Sequence, residues 1–200
     1  MADNYAKIVQ DNLDQLYGDL PEGLAKKLLC EQDGDRFVLD AFGEKCVIQP
    51  GGIALDGRED TAVFGILISL YALNACSDSC VLLPLKAFRE FSDSMPYVGA
   101  FTTHTELLLV PHVAKIKKKV KIITETLKGE NVPAGTIGDF SFIVYPLPKI
   151  ALCYIFFEAD DDFSASVTCL YSNNACLFLP VDGLADVGEY TSRKILKLIE

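Results

Sequence analysis

The stretch PLPKIALCYIFFEADDDFSASVTCLYSNNACLFLP, residues 146–180, decides the fold. Within it Ala151, Cys153, Ile155 and Phe157 fall on one side of an extended chain, and Leu152, Tyr154 and Phe156 on the other. Both sides are apolar, which predicts a central strand buried on both faces. The strand stops at Glu158, Asp160, Asp161 and Asp162. These carboxylates cannot be buried together, so the chain must surface, either as a solvated turn or as a cation site with Asp160 and Asp162 as candidate ligands. The sequence leaves both open. Residues 167–171 and 176–179 then read as a hairpin turned by Ser172, Asn173, Asn174 and Ala175. Just upstream, residues 139–145 alternate, with Phe140, Phe142 and Val144 inward.

The flanking chain reads as cover for this sheet. Tyr5, Ile8, Val9, Leu13 and Leu16 recur at helical spacing after Asp3 or Asn4 as an N-cap, and Gly18 ends that helix. A short second helix follows Pro21, and residues 36–42 and 45–49 form a hairpin. The PGG turn at 50–52 and the polar stretch 56–60 mark a candidate internal boundary near 50–60. A helix from Thr61, capped by Asp60, is apolar nearly all round, and another is expected from about Leu85 through Phe88 and Phe91. Residues 97–110 read as loop and then strand. The run VAKIKKKVKIITETLKG, 113–129, spaces Val113, Ile116, Val120, Ile123 and Leu127 as a helical stripe, with the lysines as a solvated face. A last helix capped by Asp182 carries Leu184, Val187, Thr191, Ile195 and Leu198 inward. The expectation is one α+β domain over residues 1–200, an antiparallel or mixed sheet covered by helices.

Composition narrows the function classes. With 200 residues, 50% of them hydrophobic, the chain can bury one substantial core. A net charge of −10 disfavours tracking a phosphate backbone, so no nucleic-acid partner is expected. The densest apolar run, 63–73, is too short for a bilayer, and the N-terminal residues lack a basic start with an apolar run, which predicts a cytoplasmic protein. Seven cysteines make a complete disulfide framework unexpected.

The Leu-Pro-rich entry at Pro146, the aromatic pair Phe156 and Phe157, the acidic turn ending in Phe163, the strand 167–171, and Leu179 with Pro180 before DGLADVGEY together resemble the C-terminal signature of a domain family. That family, of anaerobic bacteria and archaea, is catalogued as a domain of unknown function, number three-seven-eight-six. Upstream, EDTAVFGILISLYAL and FREF resemble its middle helices. The resemblance implies an accessory or binding module with a cofactor-bearing protein partner in anaerobic metabolism, some members being joined to iron-sulfur modules. It names no cofactor for this chain, whose cysteines lack the short-spaced series that a cluster uses.

Three constellations are candidates for chemistry. Cys76 and Cys80, in CSDSC, would share a helical face if the preceding helix continued, as half of a metal site. Cys169 and Cys176 flank the expected hairpin turn and could meet across it. His104 and Glu106, two apart on an expected strand, point the same way, and the turn at Pro111 can return His112 toward them. That trio could hold a divalent metal or serve acid-base chemistry, and it underlies the alternative of a metal-dependent enzyme. No nucleophile elbow, phosphate loop or dinucleotide fingerprint is present.

Overall fold

A computed structural model describes residues 2–59, 63–130, 132–133 and 135–200. The fold is α+β, with two antiparallel sheets. Helix α1 (Ala2–Gly18) and the short α2 (Leu24–Leu28) lead into a five-stranded meander: β1 (Glu31–Asp33), β2 (Arg36–Ala41), β3 (Glu44–Gln49), β4 (Gly52–Leu55) and β5 (Arg58–Glu59). Because α1 begins at Ala2, Asp3 and Asn4 lie inside it and do not cap it. The stretch read as a boundary holds, through residue 59, two further hairpin turns of this one sheet. The Asp60 cap expected for the next helix lies outside the described residues.

Helix α3 (Val63–Leu73) packs on α1 and β4. After it the chain forms an edge strand β6 (Lys86–Ala87) and a single 3-10 turn at Phe88–Glu90, where a helix was expected. Helix α4 (Val98–Phe101) then continues as a π-helical turn over Thr102–Leu107, so the expected strand is helical. Helix α5 (Val113–Thr126) follows as read, with Val113, Ile116 and Ile123 buried.

The second sheet runs β6-β9-β8-β7, with β7 (Phe140–Leu147), β8 (Ile150–Phe157) and β9 (Ser166–Tyr171). Strand β8 is central, paired to β7 and β9 over its length. Its inner face, Leu152, Tyr154 and Phe156, is fully buried under the helices; the outer face is sealed at Ala151 and Cys153 and opens at Phe157. Residues 176–179 are not a strand. Ala175–Leu177 is a 3-10 turn leading through Pro180 into α6 (Val181–Ile199), whose first turn holds Asp182, which is not the cap. The physical reason is the asparagine pair. Asn174 accepts from Val81 N–H at 2.8 Å and donates to Ser79 O, while Asn173 donates to Pro84 O. Side-chain amides thereby clamp the 79–84 loop against the sheet, and the chain cannot turn back as a partner strand.

One hydrophobic cluster contains α1 residues, both sheets and α6. The sheets meet where Phe42 N–H donates to Pro146 O at 2.7 Å. No helix among the described residues is long and apolar enough to cross a membrane.

Candidate functional site

The residues singled out in the sequence do not assemble. On the helical turn Thr102–Leu107, residues two apart point to roughly opposite sides, so His104 and Glu106 separate. His104 is exposed; Glu106 points inward, where its Oε1 accepts from Cys169 N–H at 2.9 Å. Edge strand β6 pairs β9 only at Leu170 and Tyr171, so Cys169 presents an N–H that the short β6 leaves bare. Glu106 caps that sheet edge, a structural task. Burial raises its pKa, against the Cys169 N–H, the Thr102 hydroxyl and Arg89, which lower it. His112 ends a separate 3-10 turn.

The cysteines are equally dispersed. Helix α3 stops at Leu73, leaving Cys76 and Cys80 in a loop with no common helical face. Buried Lys149 organises that loop, donating to Cys76 O and Asp78 O at 2.7 Å each. Cys169 is buried and Cys176 exposed, both free thiols. Desolvation raises the thiol pKa of Cys80, Cys169 and Cys176 and pushes Cys153 up to about 11, so these are poor nucleophiles. At the acidic turn, the Asp160 carboxylate accepts from Asp162 and Phe163 N–H, and Glu158 pairs with Lys117. Among the described residues no group of three or more His, Cys, Asp or Glu is placed to hold a metal.

What the fold does assemble is a cleft of about 530 Å³ between the rim of the first sheet and the C-terminal half of α6. Its aromatic floor comes from three elements. Phe42 and Gly43 form the two-residue turn joining β2 to β3, with φ 52 and φ 74, the paired left-handed conformation of a type I′ hairpin. A phenylalanine is uncommon there. Its ring is 2% exposed and meets Phe64 of α3 edge-on at 4.9 Å, which holds it in place. Tyr190 of α6 packs on Phe64 at 4.4 Å, and both of these rings are half-buried. Burial raises the Tyr190 pKa, with Asp186 and Glu189 adding to it, so the hydroxyl keeps its proton.

The cleft's walls are basic: Arg193, Lys194 and Lys197 from α6 and Arg58 from the hairpin opposite. Lys197, in the last turn of α6, also sits where the helix dipole favours a cation. Arg58 is on another element, and no dipole explains its position. Glu44 pairs Lys194 at 2.8 Å and Glu189 pairs Arg193 at 2.8 Å. Arg58 and Lys197, both exposed, have no acidic partner among the described side chains, which do not include those of residues 59 and 60. Sequence reading missed this site because Arg58 and Lys197 are far apart in the chain, and lysines ending a helix look like dipole partners alone.

A family model described as a domain of unknown function (DUF3786) matches residues 20–194. The chain belongs to this family. The DUF3786 match spans both sheets and α6 through Lys194, and so takes in the cleft apart from Lys197. No curated protein and no solved structure matches the chain.

An acidic neighbour lies on the N-terminal half of α6, where Asp182, Asp186 and Glu189 face Tyr97 and Phe101 across about 220 Å³. Desolvation, then Glu189 and Asp182, push the Asp186 pKa from 3.8 to about 6. The folded protein thus holds this proton more tightly than the unfolded chain. The stability it contributes is full below pH 3.8 and lost as pH rises through about 6. Asp186→Asn should therefore raise stability relative to wild type near about pH 8, by about 1 kcal/mol or less after solvent screening, and by less near about pH 5. Urea midpoints at the two pH values check this. A gain that grew on acidification would show the sign to be wrong.

Proposed function

We propose that this domain is a ligand-binding accessory module whose basic cleft holds a small molecule bearing an anionic group. In the role the family resemblance implies, it serves a cofactor-bearing partner of anaerobic metabolism. The observation that carries the ligand reading is the convergence of Arg58 with Lys197 on one aromatic-floored cleft, in a chain of net charge −10. Like charges brought together repel unless an anion sits between them, and a chain with 28 acidic residues to 18 basic ones had ample means to neutralise them internally. The partner half of the reading rests on the resemblance. The metal-dependent alternative draws no support from the geometry, since His104 and Glu106 point apart and Glu106 is engaged by Cys169.

The test is a titration of inorganic phosphate followed by amide and side-chain NMR shifts at low salt. Saturable shifts should centre on Arg58, Tyr190 and Lys197. Arg58→Ala and Lys197→Ala should each weaken binding about tenfold, the worth of one charge-assisted hydrogen bond, with melting temperature unchanged because both side chains are exposed. Equal affinity in the double variant, or shifts centred on the lysines of α5, would refute the site.

A further inference from the structure

We infer that the cleft's ligand is a phosphate monoester carried on a planar ring, the class that includes nucleoside monophosphates. This rests on the anion-binding reading above and adds the class of molecule. The charges of the cleft set the anion. With Lys194 matched by Glu44 and Arg193 by Glu189, Arg58 and Lys197 are the cleft cations that no acidic side chain among the described ones pairs. Two cations call for a dianion, and a phosphate monoester carries about −1.5 to −2 near neutral pH, whereas a single carboxylate carries half that. The Arg58 guanidinium also offers the planar fork that matches phosphate oxygens in pairs. The Glu44–Lys194 pair is shielded, its side chains 26% and 19% exposed, so it is a fixed wall and not a pair that an entering ligand must open.

The volume and floor set the rest of the molecule. About 530 Å³ far exceeds what bare phosphate fills and lies within the range of small-molecule pockets. Phe64 and Tyr190 present half-buried rings to this space, with Phe42 sealed behind them. Half-exposed aromatic faces beside these cations leave apolar surface wet, and a stacked ring covers it. The Tyr190 hydroxyl, kept protonated, offers a donor at the edge of the same surface.

The experiment is isothermal titration of the whole chain with phenyl phosphate, adenosine monophosphate, inorganic phosphate and phthalate, the last a planar ring with two carboxylates. Phenyl phosphate and adenosine monophosphate should bind about tenfold or more tightly than inorganic phosphate, the worth of one stacked ring, and tighter than phthalate. Phe64→Leu keeps an apolar side chain without the ring and should erase that gain while leaving inorganic phosphate binding intact; if it fails to fold, Tyr190→Leu makes the same comparison from the other ring. Inorganic phosphate binding as tightly as the ring esters would overturn the ring, and phthalate matching phenyl phosphate would overturn the phosphate, in both cases with the anion site standing. Absence of binding by all four would overturn the anion-binding reading as well.

Discussion

Phe156→Ala will lower stability by about 3 to 5 kcal/mol, the usual cost of deleting a buried phenyl ring. Phe156 is fully buried on the inner face of β8. Its ring stacks on Phe140 at 4.5 Å with the planes 2° apart, and lies 5.3 Å from Phe142. Main-chain pairing to Phe140 on one side and Val167 on the other fixes the backbone at this position. The surrounding rings therefore cannot collapse into the void, which favours the upper part of the range. In a domain whose total stability is about 5 to 15 kcal/mol, such a loss removes a large fraction and lowers Tm by roughly 10 °C. Phe157→Ala supplies the contrast: next in sequence but on the outer face and 39% exposed, it should lose about 1 kcal/mol or less. Thermal melts of the two variants decide it. Equal losses would mean that β8 is not sided as described.

Gly188→Ala will destabilise the protein although alanine is the better helix former by about 1 kcal/mol. The glycine lies inside α6, where the helix crosses the π-helical turn. A methyl group there would stand 2.7 Å from the Phe101 ring, 2.7 Å from the Tyr171 hydroxyl and 2.9 Å from Thr105 Oγ1. Two of these neighbours are held in place, the Phe101 ring by stacking on Phe88 at 4.4 Å and the Tyr171 hydroxyl by its own hydrogen bond. Tyr171 is fully buried and donates to Leu184 O at 2.7 Å, and the Thr105 carbonyl is held by the Ser192 hydroxyl, which also meets Tyr154 at 3.0 Å. Overpacking such a site costs about 1 to 3 kcal/mol, enough to outweigh the helix preference. The expected result is a Tm lowered by about 5 °C. Gly99→Ala is the companion measurement, because nothing lies within 4 Å of a methyl group there and its φ is ordinary. It should be neutral or stabilising by up to about 1 kcal/mol. A Gly188 variant as stable as wild type would show the helix crossing to be looser than drawn.

The sequence alone determined what depends on local pattern. The two apolar faces of residues 151–157 made β8 central, because side chains alternate along a strand and only a strand flanked on both edges can bury both sets. The stripes Leu13 and Leu16, Ile116 and Ile123, Leu184 and Ile195 made helices at their observed places, since a periodicity of 3.6 needs no tertiary information to be read. The resemblance over the C-terminal stretch likewise gave the family.

Tertiary structure decided the rest. The TTHTEL turn has the Thr-rich, alternating look of a strand, yet winding it as a helix lets Glu106 reach the bare Cys169 N–H, a demand set by a sheet edge 63 residues away. Asn173 and Asn174 look like a hairpin turn because asparagine tolerates turn geometry, and they became clamps because the 79–84 loop offered them carbonyls and an N–H. The cleft was illegible for the same reason. Arg58, Phe64, Tyr190 and Lys197 carry no common spacing, and only the packing of α6 against α3 beside the first sheet's rim brings them to one place. Local spacing encodes which face of an element is buried; which elements meet, and what they hold between them, is settled by packing that no single stretch of chain contains.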